Sequence, residues 1–452
     1  MDLFIGLDLG TSGMKGVLTD SGLNVLKTAI AVSPLIQKDQ QREFDADDFC
    51  ERAFGLIREL AAGAAGGSIR ALSVASASGN TLFLDKDNRP MGNAISWTDR
   101  RLEGLDDEYL PGFNLAGVHE KTGWPYIGMF PLAHIAWMKK ERPEAFKKSK
   151  TIAMSTEYLL LRLCGRWGTD PSTATPFYLL DQEKGNYCEE YIRYFGLDEK
   201  NLPGVMPSKT VLGTIGMEAS GRTGLAPGVK VVLGSFDHPA CARGMGALKP
   251  GDLLISCGTS WVGLFVSPDR EKAVRAGLLV DPYLREKGLW ACMFAMTQYG
   301  EKIEDAVKTL IGDSGDRFDT LNRLAHKRAD SRRPLSLLGD GIQSTLWSGL
   351  TREQAGYGIM LAACTDAQNG IAELKIKGFE PKRILMAGGP AKSEVWPQVM
   401  ADTFKKDVYC LHREFGGAVG AALMAMIGDG KYKDEEDFFR NKEAGFMVYR
   451  PE

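Results

Sequence analysis

One short sequence occurs twice, and the repeat constrains the fold more than any other feature. Leu7-Asp8-Leu9-Gly10-Thr11-Ser12 is matched by Ile255-Ser256-Cys257-Gly258-Thr259-Ser260, slightly more than half the chain later. In both places an apolar run ends in Gly-Thr-Ser and a second apolar run follows. Short apolar runs bounded by turn residues read as buried strands, so each copy predicts a strand–turn–strand hairpin. A chain of 452 residues is too long for one hydrophobic core. Duplication of an α/β unit accounts for both the echo and the length. The Pro- and Gly-bearing stretch from Ala242 to Gly251 is the expected boundary, dividing the chain into domains 1–241 and 242–452.

The first half begins as a meander. Leu3 to Leu7 reads as a strand ending at Asp8, Met14 to Thr19 as a second, and Asp20-Ser21-Gly22-Leu23-Asn24 as the turn before Val25. From Asp45 the period changes. Phe49, Ala53, Leu56, Ile57 and Leu60 fall at spacings of three and four, which predicts a helix capped by Asp45. Ile69 to Ala75 is again strand-like. Strands and helices keep alternating, which argues α/β. No GxxxxGK[ST] run leads into a helix, so a Walker-type phosphate loop is excluded.

Composition closes off other classes. The 55 basic and 58 acidic residues nearly cancel, leaving no electrostatic reason to expect nucleic acid or an anionic membrane as partner. No run approaches the ~20 apolar residues of a membrane span. The N-terminal MDLFIGLDLGTSG lacks the basic and long apolar regions of a secretory signal. Eight cysteines are scattered without a CxxC pair, which suits reduced thiols in a cytoplasmic protein better than a zinc site or disulfide framework. The 52 glycines exceed the usual share and point to tight turns and close backbone approaches.

Several residues carry candidate chemistry. Gly-Thr-Ser after a strand is either an ordinary hairpin turn or a nest of backbone N–H groups and hydroxyls for phosphate oxygens. Asp8 ends so apolar a strand that an unpaired carboxylate is costly there; it either caps the turn or faces a hydrated Mg²⁺ carried by ATP. Asp237 follows the apolar strand Val231 to Phe236. It is placed to take a proton from a hydroxyl, to cap the helix that has Pro239 in its first turn, or both. Trp97-Thr98-Asp99-Arg100-Arg101 reads as a sugar-binding aromatic beside polar anchors, or as a helix start with a solvated charge run. Gly388-Gly389-Pro390-Ala391-Lys392-Ser393 follows the strand Ile384 to Ala387, and Gly416-Gly417-Ala418 precedes a helix from Val419 to Ile427. Glycines there admit a flat base or another backbone.

The runs IGLDLGTSGMKGVL, SWTDRR, GSFDHPACARGMGALKPGDLLISCGTS and GGPAKSEVWPQVMADTF, in this order, resemble the FGGY carbohydrate kinases over roughly residues 3 to 428, with xylulokinase-like members the nearest in pattern. The resemblance implies two ribonuclease-H-like, actin-like ATPase domains flanking a deep catalytic cleft. It implies ATP and Mg²⁺ as cofactors, a small sugar or polyol as partner, and transfer of the γ-phosphoryl to a hydroxyl. By position, Asp237 is the catalytic base and Asp8 its companion, both toward the metal. Gly10, Thr11, Ser12, Lys15, Gly258 and Thr259 face the phosphates. Gly300, Gly388, Gly389 and Ser393 lie toward the adenosine, and Trp97, Ser78, Gly79 and His238 toward the substrate.

Departures blur the substrate. Ser76-Ala77-Ser78-Gly79-Asn80 stands where xylulokinases carry Gln-Met-His and glycerol kinases Arg-Glu. His238 replaces the usual Asn or Gln after the base, His134 the usual lysine, and the stretch between Arg333 and Leu350 is shortened. A ketopentose such as xylulose or a related ketose is the expected acceptor. A polyol, or a weakly catalytic sensing role, is the alternative, and a homodimer stays open.

Overall fold

Strands β1 (Asp2–Leu9) and β2 (Gly13–Asp20) form the hairpin that the first Gly-Thr-Ser predicts, with Leu9 opposite Met14, and β3 (Val25–Val32) continues the meander. The computed structural model describes residues 1–327, 337, 349–411, 415–440 and 445–452; the shortened stretch after Arg333 lies, apart from Leu337 and Gly349, outside them. Helix α1 (Ala46–Ala61) starts where the period changes. The Asp45 carboxylate accepts from the Asp47 and Asp48 N–H groups at 2.8 and 3.0 Å, satisfying donors that the first helical turn leaves orphaned. Its apolar stripe of Phe49, Ala53, Leu56, Ile57 and Leu60 packs on Leu3, Ile5, Leu7 and Leu18 of the sheet.

Strand β4 (Ser68–Ser76) returns parallel to β1, and β5 (Val211–Thr214) and β6 (Lys230–Phe236) complete a sheet of order β5–β6–β4–β1–β2–β3. Helix α2 (Asp237–Gly244) begins at the residue after β6. The second Gly-Thr-Ser joins β7 (Asp252–Cys257) to β8 (Trp261–Ser267), antiparallel with Cys257 opposite Trp261. With β9 (Trp290–Met296), β10 (Arg383–Gly388), β11 (Val408–Cys410) and β12 (Met447–Tyr449), the strands follow in the order β9–β8–β7–β10–β11–β12. The series β3–β2–β1–β4–β6 and β9–β8–β7–β10–β11 are the same ribonuclease-H-like arrangement, so the six-residue echo marks a genuine repeat of architecture.

The chain divides into two compact units: Met1–Gly244 with Asp269–Trp290 and Phe415–Phe438, and Met245–Pro268 with Ala291–Glu414 and Phe439–Glu452. This differs from two contiguous blocks, 1–241 and 242–452. The physical reason is helix α3 (Gly416–Asp429), which covers the face of the first sheet opposite α1. It starts at Gly416, three residues before the expected Val419, so Gly416-Gly417-Ala418 is its first turn. Its glycines serve close backbone approach. A Cβ on Gly420 would lie 1.8 Å from the Ala240 carbonyl oxygen of α2, and one on Gly6 of β1 would lie 1.9 Å from that of Ala418. Ala75, Ala240, Ala421 and Met424 fill the seam. Among the described residues, no helix is long and apolar enough to cross a membrane.

Candidate active site

The first unit gathers its candidate residues at the ends of β1, β4 and β6. Asp8 stands near the end of β1, opposite Lys15 in the hairpin register, with the first turn of α3 against its carboxylate; a Cβ on Gly417 would lie 2.6 Å from Asp8 Oδ2. Asp237 opens α2, and its Oδ1 accepts from the His238 N–H at 2.7 Å, so it does cap that helix. The Asp8 carboxyl is pushed from its ordinary 3.8 up to about 7, first by burial and then by the Asp237 charge, against the pull of Lys15. The two carboxylates therefore act on each other.

This shift carries a stability consequence. A raised carboxyl pKa means that ionising Asp8 opposes folding, a penalty absent near pH 4 and complete above pH 7. Asp8→Asn is expected to leave stability unchanged at pH 4 and to raise it by roughly 2 kcal/mol at pH 8 without nucleotide, allowing for the carboxylate's partly open position. Urea unfolding at the two pH values checks this; equal stability of variant and parent at pH 8 would refute the penalty.

The turn between β1 and β2 spends part of its polar capacity on itself. The Gly10 N–H bonds to the Gly13 carbonyl at 3.1 Å, and the Gly10 carbonyl accepts from the Ser33 hydroxyl at 2.6 Å. Trp97 Nε1 donates to Thr11 Oγ1 at 2.7 Å, tying the tryptophan to the turn. The recess between them, lined also by Ala77 and Asn80, measures about 30 Å³, room for about one water and not for a sugar. Ser12 and Lys15 are exposed, with the Lys15 ammonium 6.0 Å from the Phe415 ring.

Trp97 heads a wall of rings. It stacks on Phe130 at 6.2 Å, Phe130 meets Trp124 at 5.8 Å, Trp124 meets Phe236 at 5.4 Å, and Phe236 meets His238 at 5.5 Å. Residues far apart in sequence, Trp97 and His238, thus share one surface. Gly79 belongs to it by necessity, since its φ is +98° and a Cβ would lie 2.5 Å from the Phe130 ring. Ser78 is buried, its hydroxyl 3.5 Å from the Ser76 carbonyl. The aromatic wall was not foreseen. Its signal was the run Trp124-Pro125-Tyr126-Ile127-Gly128-Met129-Phe130, which has three rings and no helical or strand period.

The charge run after Trp97 is not helical, and only Arg100 of it is exposed. Asp99 is buried, the Arg101 side chain is 8% exposed, and Arg101 bridges Asp99 at 2.8 Å and Glu43 at 2.6 Å. This cluster props the loop carrying Trp97. His134 shares a 2.8 Å hydrogen bond with the Thr81 hydroxyl, and burial pushes its pKa down to about 3. It is therefore neutral where the family pattern has a cation.

The second unit holds a pocket of about 440 Å³ lined by Gly258, Thr259, Gly300, Glu304, Asn322, Gly389 and Ser393, among others. The Gly258 N–H closes its own turn on the Ser260 carbonyl at 3.2 Å, and the Gly300 N–H bonds to the Thr259 carbonyl at 2.8 Å. Gly300 must lack a side chain, because a Cβ would lie 2.1 Å from the Gly258 oxygen. Gly388 presses on Cys257, where a Cβ would lie 2.3 Å from its carbonyl oxygen, whereas Gly389 has nothing within 4 Å and faces open space. The Ser393 hydroxyl donates to Asn322 Oδ1 at 3.0 Å and accepts from the Val395 and Trp396 N–H groups. It acts as a cap at the pocket's lip. Asn322 and Glu304 are lining residues that the sequence pattern did not single out.

With this geometry in hand, comparison with known proteins decides the family. The profile of the N-terminal domain of the FGGY family of carbohydrate kinases matches residues 3–244, and that of the C-terminal domain matches residues 319–428. The chain belongs to the FGGY family. Its relatives include a xylulose kinase of Bacillus subtilis, 26% identical with 97% of this chain and 90% of the relative covered. A gluconokinase of the same organism is 24% identical over 94% of this chain and 88% of its own. Among solved structures, a xylulose kinase from Rhodospirillum rubrum aligns over 100% of this chain and 94% of its own with a TM-score of 0.84 at 23% identity. The protein is accordingly a carbohydrate kinase of the FGGY type, a phosphotransferase with an alcohol acceptor built on two actin-like ATPase domains. Sugar kinases of this family use ATP as donor.

The residues present also suit the metal that such a donor brings. Asp8 and Asp237 raise the negative charge at one place. Among the described residues, no group of three or more acidic, His or Cys side chains forms a cage. One or two carboxylates without a full protein cage is the donor set suited to Mg²⁺ arriving on phosphates.

Proposed function

We propose that the chain transfers the γ-phosphoryl of Mg²⁺-ATP to a hydroxyl of a neutral sugar, with a ketopentose such as xylulose or a related ketose as acceptor. The observation that carries this is the carboxylate pair, Asp8 and Asp237, at strand ends beside a wall of rings from Trp97 to His238. Ring faces take the C–H surface of a sugar, and a carboxylate at the turn takes the proton of the attacking hydroxyl. The acceptor oxygen, once relieved of its proton by Asp237, attacks the γ-phosphorus, and ADP leaves. Mg²⁺, held by Asp8 with Asp237 beside it, would neutralise phosphate charge.

Thr11 and Ser12, with Thr259 and Ser260, are the proposed phosphate contacts, since Gly10 and Gly258 turn their N–H groups inward. Gly389 and the 440 Å³ pocket are proposed for the adenosine. A neutral acceptor is favoured because the wall ends at His238, whose N–H is held by Asp237, and His134 carries no charge. No disulfide joins any of the eight cysteines, which supports a reducing, cytoplasmic setting.

The test is ADP release from Mg²⁺-ATP across ketoses, aldoses, polyols and gluconate. One neutral ketose should raise turnover at least ~100-fold over background hydrolysis, as a positioned nucleophile and base together provide. Stimulation by gluconate alone, or by no member of the panel, would sink this acceptor class.

A further inference from the structure

Asp281 lies in the strand Leu279–Pro282, fully buried, and neither of its carboxylate oxygens has a hydrogen-bond donor among the described residues. A carboxyl group stripped of water and left without partners is expensive. The groups acting on it are Asp170 and Asp237, which repel its charge, Arg243, which attracts it, and the Ser172 hydroxyl. Two of these are committed elsewhere. Arg243 bonds to Glu435 and, at 2.7 Å, to the Tyr283 carbonyl. Asp170 accepts from the Ser172 and Thr173 N–H groups at 2.9 and 3.1 Å and from the Ser208 hydroxyl at 3.3 Å.

Ser172 is different. Its Oγ accepts from the Phe236 N–H at 3.1 Å, which leaves the hydroxyl proton to be donated. Asp281 is the acceptor that lacks a donor, and Phe236 is the residue immediately before Asp237. We propose that Asp281 is a positioning residue for Asp237. It takes the Ser172 proton, fixes that hydroxyl as acceptor for the Phe236 N–H, and so pins the strand-to-helix turn on which the base stands. Either protonation state of Asp281 keeps an oxygen able to accept, so the relay does not depend on its charge. The small helix Pro171–Ala174 supplies the middle link and packs against both strands. The inference rests on the reading of Asp237 as the base.

The experiment compares Asp281→Leu, Asp281→Asn, Ser172→Ala and the Asp281→Leu/Ser172→Ala double variant in the full chain. A base displaced by about an ångström can cost up to ~100-fold. Asp281→Leu and Ser172→Ala should therefore each lower kcat about tenfold or more, with KM for ATP unchanged. Asp281→Asn, whose amide oxygen still accepts, should restore most of the rate, and the double variant should lose no more than either single one. Losses that add, an Asn variant as poor as Leu, or unaltered kcat in Ser172→Ala would each overturn the proposal. Should Asp281→Leu fail to fold, Ser172→Ala and Asp281→Asn still decide it. Crystal structures separate this from failure of the kinase reading. Movement of the Asp237 carboxylate in Ser172→Ala supports the relay even in a protein that turns over no sugar, and an unmoved carboxylate overturns it. Loss of turnover in Asp237→Ala tests the base itself.

Discussion

Asp237→Ala should cut phosphoryl transfer to the sugar by at least ~100-fold in kcat, the usual range for loss of a positioned general base, while nucleotide binding holds. The residue opens helix α2, and its Oδ1 receives the His238 N–H. Its removal costs one capping contact, and most of the helix stays buried through Pro239, Ala240 and Ala242. A second readout is independent of turnover. Asp237 is one of the two influences that raise the Asp8 pKa, so in Asp237→Ala the Asp8 carboxyl should titrate closer to its ordinary value. Turnover near that of the parent would remove Asp237 from the chemistry. An unshifted Asp8 titration would show that burial alone sets that value.

The largest structural effect is expected from one methyl group. In Gly420→Ala the new Cβ would lie 1.8 Å from the Ala240 oxygen and 2.5 Å from its carbon. Both are backbone atoms of a buried helix, which cannot swing aside like a side-chain tip. Overpacking that side chains can absorb costs about 1–3 kcal/mol. Here α2 and α3 must separate, so a loss of at least ~3 kcal/mol is expected, a large fraction of the ~5–15 kcal/mol that holds most proteins folded. The matched control is Gly55→Ala, in an exposed position of α1 where a Cβ meets nothing within 4 Å. That change should stabilise by about 0.5–1 kcal/mol through helix propensity. Chemical denaturation of the two variants gives opposite signs if the glycine–backbone contact is real. A midpoint for Gly420→Ala equal to that of the parent would mean that the helices slide without penalty.

Local signals were legible and long-range ones were not. The two Gly-Thr-Ser turns, the meander as far as the turn before Val25 and the Asp45 cap depend on neighbours within a few residues, and each appears where the pattern places it. Asp99 and Arg101 look solvated in the sequence because their third partner, Glu43, is contributed from before α1. A charged triplet read alone looks solvated. The sequence pattern starts the helix at Val419, after Gly416 and Gly417, yet the close contact of Gly417 with Asp8 outweighs the cost of glycine in a first turn. The ring wall, and the link from Asp281 through Ser172 to Phe236, join segments with no shared periodicity. Nothing in a linear pattern announces them.

The docking of α3 also governs the order in which the protein can be made. Residues 1–244 are translated before that helix and include β1, β4 and α2, whose small-residue faces at Gly6, Ala75 and Ala240 are shaped to receive it. The helix follows only after residues 245–415. Throughout the intervening synthesis the nascent first unit carries an uncovered apolar face, a natural client for a holding chaperone. A message truncated between Asp237 and Gly416 would release a product lacking the helix that covers its own first core, although both candidate carboxylates are present.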